Sequence, residues 1–226
     1  MTLPRLTPGR PAAFVFDCDG VLIESVQIKT EAFVELFSDC PQHRDAIVDH
    51  HQQHLGVSRF EKFAWIYRKL LGREIEPQES EALGRRFSEL VFEAARVCPA
   101  VPGAEAALER FAGEGIPLYV ASGVPQGELA ALLEARGWGG HFREIHGSPT
   151  TKPEILLHVM QQLSAGAEDV IFIGDGWSDH EAARETGVAF VLRHTEAQAL
   201  RFAAYSGPRI ADLRPLNEYN RHFLDA

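Results

Sequence analysis

Four short apolar runs constrain this chain more than any other feature: Ala13 to Phe16, Ile116 to Ala121, Val170 to Ile173 and Val188 to Leu192. Each is rich in Val, Ile or Phe and too short for a helix. Unbroken apolarity over so few residues suits a strand buried on both faces of a parallel sheet. Helical patterns flank the later three runs, over Gly103 to Ala112, Pro125 to Arg136, Pro153 to Leu163 and Ser178 to Glu185. Such alternation predicts right-handed β-α-β crossovers and an α/β fold, a doubly wound (Rossmann-like) parallel sheet.

The first two runs are about a hundred residues apart, far beyond a normal crossover, and the interval reads as almost wholly helical. Apolar residues recur at helical spacing in Phe33, Leu36 and Phe37, in Phe60, Phe63, Ile66, Tyr67 and Leu70, and in Leu83, Phe87, Leu90 and Val91. An inserted all-helical domain over residues 22–99 is expected, with residues 1–21 and 100–226 forming the core domain. Cys98-Pro99 closes the insertion and Val101-Pro102-Gly103 re-enters the core, Pro and Gly marking the break.

With 226 residues and a formal charge of −10, the chain can bury a real core but repels nucleic acid and anionic membranes over most of its surface. Partners of either kind are not expected. An anionic small molecule is repelled too, so a site for one must build its own positive potential from a metal, a lysine and backbone N–H groups. The three cysteines, Cys18, Cys40 and Cys98, share no short metal-ligand spacing and fit reduced thiols in a cytoplasmic protein. No stretch has the length of a signal-peptide core or a transmembrane span, and residues 1–11 read as a frayed leader.

Chemistry-bearing residues gather at the strand ends. The first run ends in Asp17-Cys18-Asp19-Gly20, and alternation along an extended chain puts Asp17 and Asp19 on one side. Ligands of a doubly wound sheet bind beyond the carboxyl ends of its strands, where this pair falls. Alone, the pair makes an equally good turn with Gly20. A second acidic group, Gly174-Asp175-Gly176-Trp177-Ser178-Asp179, follows the run at Val170 to Ile173. Asp179 also suits a helix N-terminus, but Asp175 has no such role. Carboxylates converging on one edge repel one another unless a cation sits among them, and a few hard oxygen ligands with room for phosphate and water favour Mg²⁺ over zinc or calcium. Ser122 ends the run at Ile116 to Ala121, and Lys152 precedes the helix opened by Pro153. Taken singly, these are an ordinary cap and an ordinary solvated cation.

Taken in order, the four elements resemble the motifs of the haloacid dehalogenase-like superfamily. Phe14 to Leu22 (FVFDCDGVL) is similar to its first motif, Tyr119 to Gly123 (YVASG) to its second, Lys152-Pro153 to its third and Phe172 to Asp179 (FIGDGWSD) to its fourth. The inserted helices match a cap placed directly after the first motif. The resemblance implies a Mg²⁺-dependent phosphatase for small phosphate monoesters, sugar phosphates or phosphoglycolate-like acids. It also implies that Asp17 is a nucleophile forming an aspartyl-phosphate and Asp19 a general acid and base. The implied metal ligands are Asp17, the Asp19 backbone carbonyl and Asp175, with Asp179 direct or through water. Ser122 and Lys152 would bind the transferring phosphoryl oxygens, Gly123 would contact substrate, and Asp19 argues against the family's dehalogenases and phosphonate hydrolases.

Substrate choice is expected in the cap. Leu55-Gly56-Val57-Ser58-Arg59 resembles the specificity loop of the β-phosphoglucomutase and phosphoglycolate phosphatase-like subgroup, making Arg59 the leading candidate for a distal anion, with Lys62 and Lys29 behind it. His50, His51 and His54 read as a surface face, and Trp177 either packs at the site edge or touches substrate. The nearest rival is a phosphomutase built on the same core residues. A non-catalytic binding or regulatory protein fits less well, because all the motif residues are present.

Overall fold

In a computed structural model that describes residues 9–218, the chain forms a six-stranded parallel sheet flanked by helices. The leader expected over residues 1–11 falls largely outside the described residues. In chain order the strands are β1 (Ala13–Phe16), β2 (Leu118–Pro125), β3 (Glu144–Ser148), β4 (Val170–Gly174), β5 (Ala189–Arg193) and β6 (Arg209–Ile210). Their spatial order is β3-β2-β1-β4-β5-β6, with every neighbouring pair parallel. This is the doubly wound sheet expected from the apolar runs.

Alternation sorts each central strand between two cores. Phe14 and Phe16 of β1 join Leu118, Val120, Ile171 and Ile173 on one face, while Ala13 and Val15 join Tyr119, Ala121, Val170 and Phe172 on the other. All twelve are essentially inaccessible, which is why these strands read as continuous apolar runs. The order reverses at β1, which pairs with both β2 and β4, so the crevice beyond the end of β1 is the switch point where such sheets bind ligands.

Between β1 and β2 lie α1 (Val26–Leu36), α2 (Arg44–Gln53), α3 (Arg59–Lys69) and α4 (Pro77–Val97). They pack through Phe33, Phe63 and Phe87, with ring centroids 4.9 to 6.3 Å apart. Each such buried side chain contributes about 1.5–3 kcal/mol. The chain leaves and re-enters the core side by side: Ile23 bridges Ala100, the Val101 N–H donates to Leu22 O at 3.0 Å, and the Glu24 N–H donates to Pro99 O at 3.0 Å. Arg136 donates to the carbonyls of Ala95, Arg96 and Cys98 at 2.9–3.0 Å, satisfying the open end of α4 from the core side.

The remaining helices are α5 (Ala104–Gly113), α6 (Gln126–Ala135), α7 (Lys152–Leu163) and α8 (Trp177–Thr186). At the start of α7, a Glu154 carboxylate oxygen accepts from the Thr151 N–H at 2.8 Å and from the Thr151 hydroxyl at 2.7 Å. This capping box, with Pro153 in the first turn, fixes the direction in which Lys152 leaves the helix.

Candidate active site

Asp17 follows the last residue of β1 and is buried. Its Oδ1 accepts the Cys18 N–H at 2.6 Å, and its Oδ2 accepts from Lys152 Nζ at 2.9 Å. The same ammonium donates to Asp179 Oδ1. The other Asp179 oxygen accepts the N–H groups of Gly176 at 2.8 Å and Asp175 at 3.2 Å, tying down the turn after β4. A Cβ on Gly174 would fall 2.3 Å from Asp179 Cβ, so glycine is what lets that side chain fold back onto the strand end.

Oxygen atoms of Asp17, Asp175 and Asp179 lie within 4.8 Å of one another, and all three side chains are buried. Burial, then the neighbouring carboxylates, pushes Asp17 up to about 6 against the pull of Lys152, and drives Asp175 well above the ordinary range. Gln198 Nε2 donates to Asp175 Oδ2 at 3.0 Å, while Asp175 Oδ1 is buried with no hydrogen-bond partner among the described residues. A cluster of hard oxygens holding one orphaned acceptor under mutual repulsion fits a small divalent cation. Lys152 is held above its usual range: burial opposes its charge, and Asp17 and Asp179 outweigh that.

Asp19 takes different partners from Asp17. The Ser25 hydroxyl donates to its Oδ1 at 2.5 Å, and Lys29 forms an ion pair with its Oδ2. Burial alone would raise this carboxyl, but Lys29 and Ser25 reverse the effect and hold it low. Ser122 is buried inside β2, where its pairing with β3 shifts register, and its Oγ accepts the Val124 N–H at 3.3 Å.

Above these residues the helices cover a small, partly open cavity lined by Asp19, Lys29, His51, Arg59, Lys62 and Gly123 among others. Lys62 and His51 are buried with Lys62 Nζ 3.0 Å from His51 Nδ1. Burial and then Lys62 push the imidazole down to about 2, so it is a neutral acceptor. Lys62 itself is lowered to about 7, by burial first and Lys29 second. The surface face expected for the histidines therefore fails at His51, which sits under the Phe33 ring at 4.9 Å, while His50 stacks on Trp65 at 3.7 Å. Arg59 lines the cavity wall, yet its donors are engaged elsewhere: Nη1 with Gly84 O at 3.1 Å and Ser88 Oγ at 2.8 Å, Nη2 with Glu128 Oε2 at 2.5 Å.

The loop before α3 presses on the strand ends. Ser178 Oγ donates to Leu55 O at 2.9 Å, and Gly56, at φ +79°, leaves no room for a side chain beside Lys152 Nζ and Ser178 Oγ. Trp177 packs on His180 and Phe202 at 4.9 and 5.5 Å and borders the hollow shared by Asp175 and Gln198. The structure thus gathers Asp17, Lys152, Asp175 and Asp179 into one cluster, with Asp19, Lys29 and Lys62 in the adjoining cavity. Ser25, Gly56, Glu128 and Gln198 were not anticipated. Gly56 lay inside the motif-like loop and could have been noticed; a lone Gln between β5 and β6 carries no signal.

A doubly wound sheet with acids and a lysine at its switch point, covered by helices inserted after the first strand, defines a capped enzyme of the Rossmann-like α/β class. The chain belongs to the haloacid dehalogenase-like hydrolase family, whose model matches residues 11–187. It is 28% identical over 188 residues to phosphoglycolate phosphatase 1 of Pseudomonas aeruginosa, covering 79% of this chain and 67% of that protein. It is 27% identical over 187 residues to a phosphorylated carbohydrates phosphatase of Thermotoga maritima, covering 78% and 82%. Its fold matches a β-phosphoglucomutase structure from Clostridium difficile with a TM-score of 0.72 at 18% identity, covering 95% and 96% of the two chains. All three cysteines are free thiols, and among the described residues no helix is long and apolar enough to cross a membrane.

Proposed function

We propose that this chain is a phosphatase that hydrolyses small phosphate monoesters with an anionic leaving group, through an aspartyl-phosphate on Asp17. The observation that carries this reading is the division of labour between two adjoining spaces. Asp17 faces Lys152 beside an acid cluster, while Asp19 faces a cavity bearing Lys29 and Lys62. In a chain of net charge −10, these cations are the local positive field that an anionic substrate needs.

A carboxylate oxygen of Asp17 attacks phosphorus as the ester P–O bond breaks, and Asp19 gives a proton to the leaving oxygen. Asp19 then takes a proton from the water that cleaves the acyl phosphate, which returns Asp17 and releases inorganic phosphate. Lys152 and the Ser122 hydroxyl hold the transferring phosphoryl oxygens, and the Gly123 backbone contacts the substrate. An anionic leaving group that draws Lys29 away strips Asp19 of its cation and raises its pKa, the direction a general acid requires. Mg²⁺ would be held by Asp17, Asp175 and the Asp19 carbonyl, supplying charge neutralisation for the phosphoryl group. Asp179, with both oxygens taken by Lys152 and by backbone N–H groups, serves best as the support of that site. Residues 22–99 act as a cap that closes over the leaving group, with Lys62 and Lys29 reading its charge.

The test is phosphate release from phosphorylated sugars and carboxylic acids, with Mg²⁺ and then with chelator. Asp17→Asn and Asp19→Ala should each abolish turnover; near-full activity in either variant, or undiminished activity under chelation, defeats the mechanism. Bisphosphate-primed isomerisation without net phosphate release would select the phosphomutase alternative.

A further inference from the structure

The edge of the sheet carries a second cluster of ligand-type side chains that the proposed reaction does not use. Glu144 and His146 stand two residues apart on β3 and project from one face of the strand. Facing them on α7 are His158 and Gln162, four residues apart and so stacked on one side of the helix. His146 Nε2 lies 2.7 Å and His158 Nε2 2.8 Å from the same atom, Glu144 Oε2. Gln162 Nε2 donates to the other carboxylate oxygen, and Gln162 Oε1 accepts the hydroxyl of the core residue Tyr119 at 3.0 Å.

We propose that Glu144, His146 and His158 form a binding site for a transition-metal dication of the Zn²⁺, Co²⁺ or Ni²⁺ class. Two imidazole nitrogens and one carboxylate oxygen lie within 4.8 Å of one another, on a strand and a helix whose backbones are fixed by the sheet. The donor set separates this site from the acid cluster: imidazole suits Zn²⁺, Ni²⁺ and Co²⁺, whereas an all-oxygen group suits Mg²⁺. Tetrahedral ligation with bonds of about 2.0–2.1 Å puts ligand atoms about 3.3 Å apart, so each imidazole nitrogen need draw back from the carboxylate oxygen by only about half an ångström. The carboxylate is already oriented from behind by Gln162 and Tyr119, the kind of outer support that metal ligands require. The side chains are 24%, 27% and 46% exposed for His146, Glu144 and His158, leaving one coordination position to water.

The placement gives the ion a structural role. β3 and α7 flank the short loop that ends at Lys152, so a metal bridging them staples both sides of the segment that presents the lysine. Binding should raise the thermal midpoint and leave the chemistry at Asp17 untouched.

The experiment uses the full chain, stripped with chelator and returned to saturating Mg²⁺ so that the acid cluster is occupied. It is then titrated calorimetrically with Zn²⁺, and with Co²⁺ followed by visible absorption. The expected result is one ion per chain at micromolar metal with a rise in melting temperature. His158→Ala and Glu144→Gln should each weaken binding by at least about tenfold, because losing even an outer-shell partner costs that much. Both substitutions are at partly exposed positions, and His158→Ala should retain wild-type phosphate release in Mg²⁺. Absence of binding, or binding that neither variant weakens, overturns the proposal; the latter would put the ion at the acid cluster.

Discussion

Lys152 Nζ stands 2.9 Å from Asp17 Oδ2 across 135 residues of sequence, and pairs with Asp179 through the same ammonium. Among the described residues neither carboxylate has another cation at hydrogen-bonding distance, so the lysine is what permits two buried acids to share the end of β1. Lys152→Ala leaves that charge uncompensated. Turnover should fall by on the order of 10²–10³-fold, the usual cost of one lost donor to a charged transition state, and more substrate should not restore it. The metal-free chain should also lose about 3–5 kcal/mol of stability, as when one partner of a buried pair is removed. Mg²⁺ should recover part of this, so melting temperatures with and without Mg²⁺ should diverge more in the variant than in the wild type. Identical shifts in both would argue against a cation among Asp17, Asp175 and Asp179.

Lys62 sets a pH dependence. Its folded pKa, lowered to about 7 from 10.5 by burial and Lys29, means that the empty protein sheds this charge as pH rises through neutrality. An anionic leaving group needs the charged form. For such a substrate kcat/KM should therefore decline above about pH 7, and the decline should be absent for an ester with a neutral leaving group. Lys62→Arg, which keeps its charge, should flatten the basic limb. Linkage fixes the sign of the stability effect. Between about pH 7 and 10.5 the unfolded chain holds a proton that the folded chain has lost, so the stability of the empty protein rises with pH across that window. Chemical denaturation of wild type and Lys62→Met at several pH values would reveal it; parallel curves would mean that Lys62 titrates normally.

The strands and acids that the sequence disclosed share one property: they lie where the sheet is buried on both faces. β1, β2, β4 and β5 announce themselves as apolar runs because neighbouring strands and helices cover them, and the ends of the first three runs locate Asp17, Ser122 and Asp175. β3 escaped notice because, as an edge strand, it carries Glu144, His146 and Ser148 at half-buried positions, and β6 spans only Arg209–Ile210. In the cap, apolar spacing marked the helices but not which polar residues turn inward. His51, Arg59 and Lys62 are nearly as buried as Phe63, and a charged residue beside an apolar stripe looks the same whether its head reaches solvent or a cavity. Partners such as Gln198 on Asp175 depend on packing between segments remote in sequence, which no local pattern encodes.

Arg59 and Glu128 join α3 of the inserted helices to α6 of the core, with Ser88 of α4 completing the contact by donating to Glu128 Oε1 at 2.7 Å. The guanidinium also lies 4.7 Å from the Phe87 ring centroid. Arg59 in this position ties the inserted helices to the core, and its loss should affect all substrates alike. Arg59→Ala should destabilise the chain by about 1–3 kcal/mol, because it removes a buried side chain from beside Phe87 and the donor shared by Gly84 O, Ser88 and Glu128. Glu128→Gln should raise KM several-fold for anionic and neutral leaving groups equally while kcat changes little. Were Arg59 instead the hook for a distal anion, Arg59→Ala would penalise anionic substrates selectively and Glu128→Gln would leave their KM unchanged. A two-substrate kinetic comparison of the two variants decides between these roles.

Gly56 and Gly123 meet backbone to backbone where the loop before α3 reaches the second half of β2. A Cβ on Gly123 would stand 2.5 Å from Gly56 O, a distance that only a shift of the loop can relieve. That loop carries the carbonyl of Leu55 onto Ser178 and borders Lys152, so displacing it opens the cavity to water at the point where the two reacting spaces join. Gly123→Ala should therefore lower kcat/KM by on the order of a hundredfold, the scale expected for an ångström of misplacement at a reacting centre. Its melting temperature should change much less, because the loop can lift without unfolding either set of helices. Gly127→Ala is the control: it lies in α6 with nothing within 4 Å of an added Cβ, and should be neutral in rate and about 0.5–1 kcal/mol more stable. Wild-type kinetics in Gly123→Ala would mean that the close approach of these glycines is not the arrangement in which the ester is cleaved.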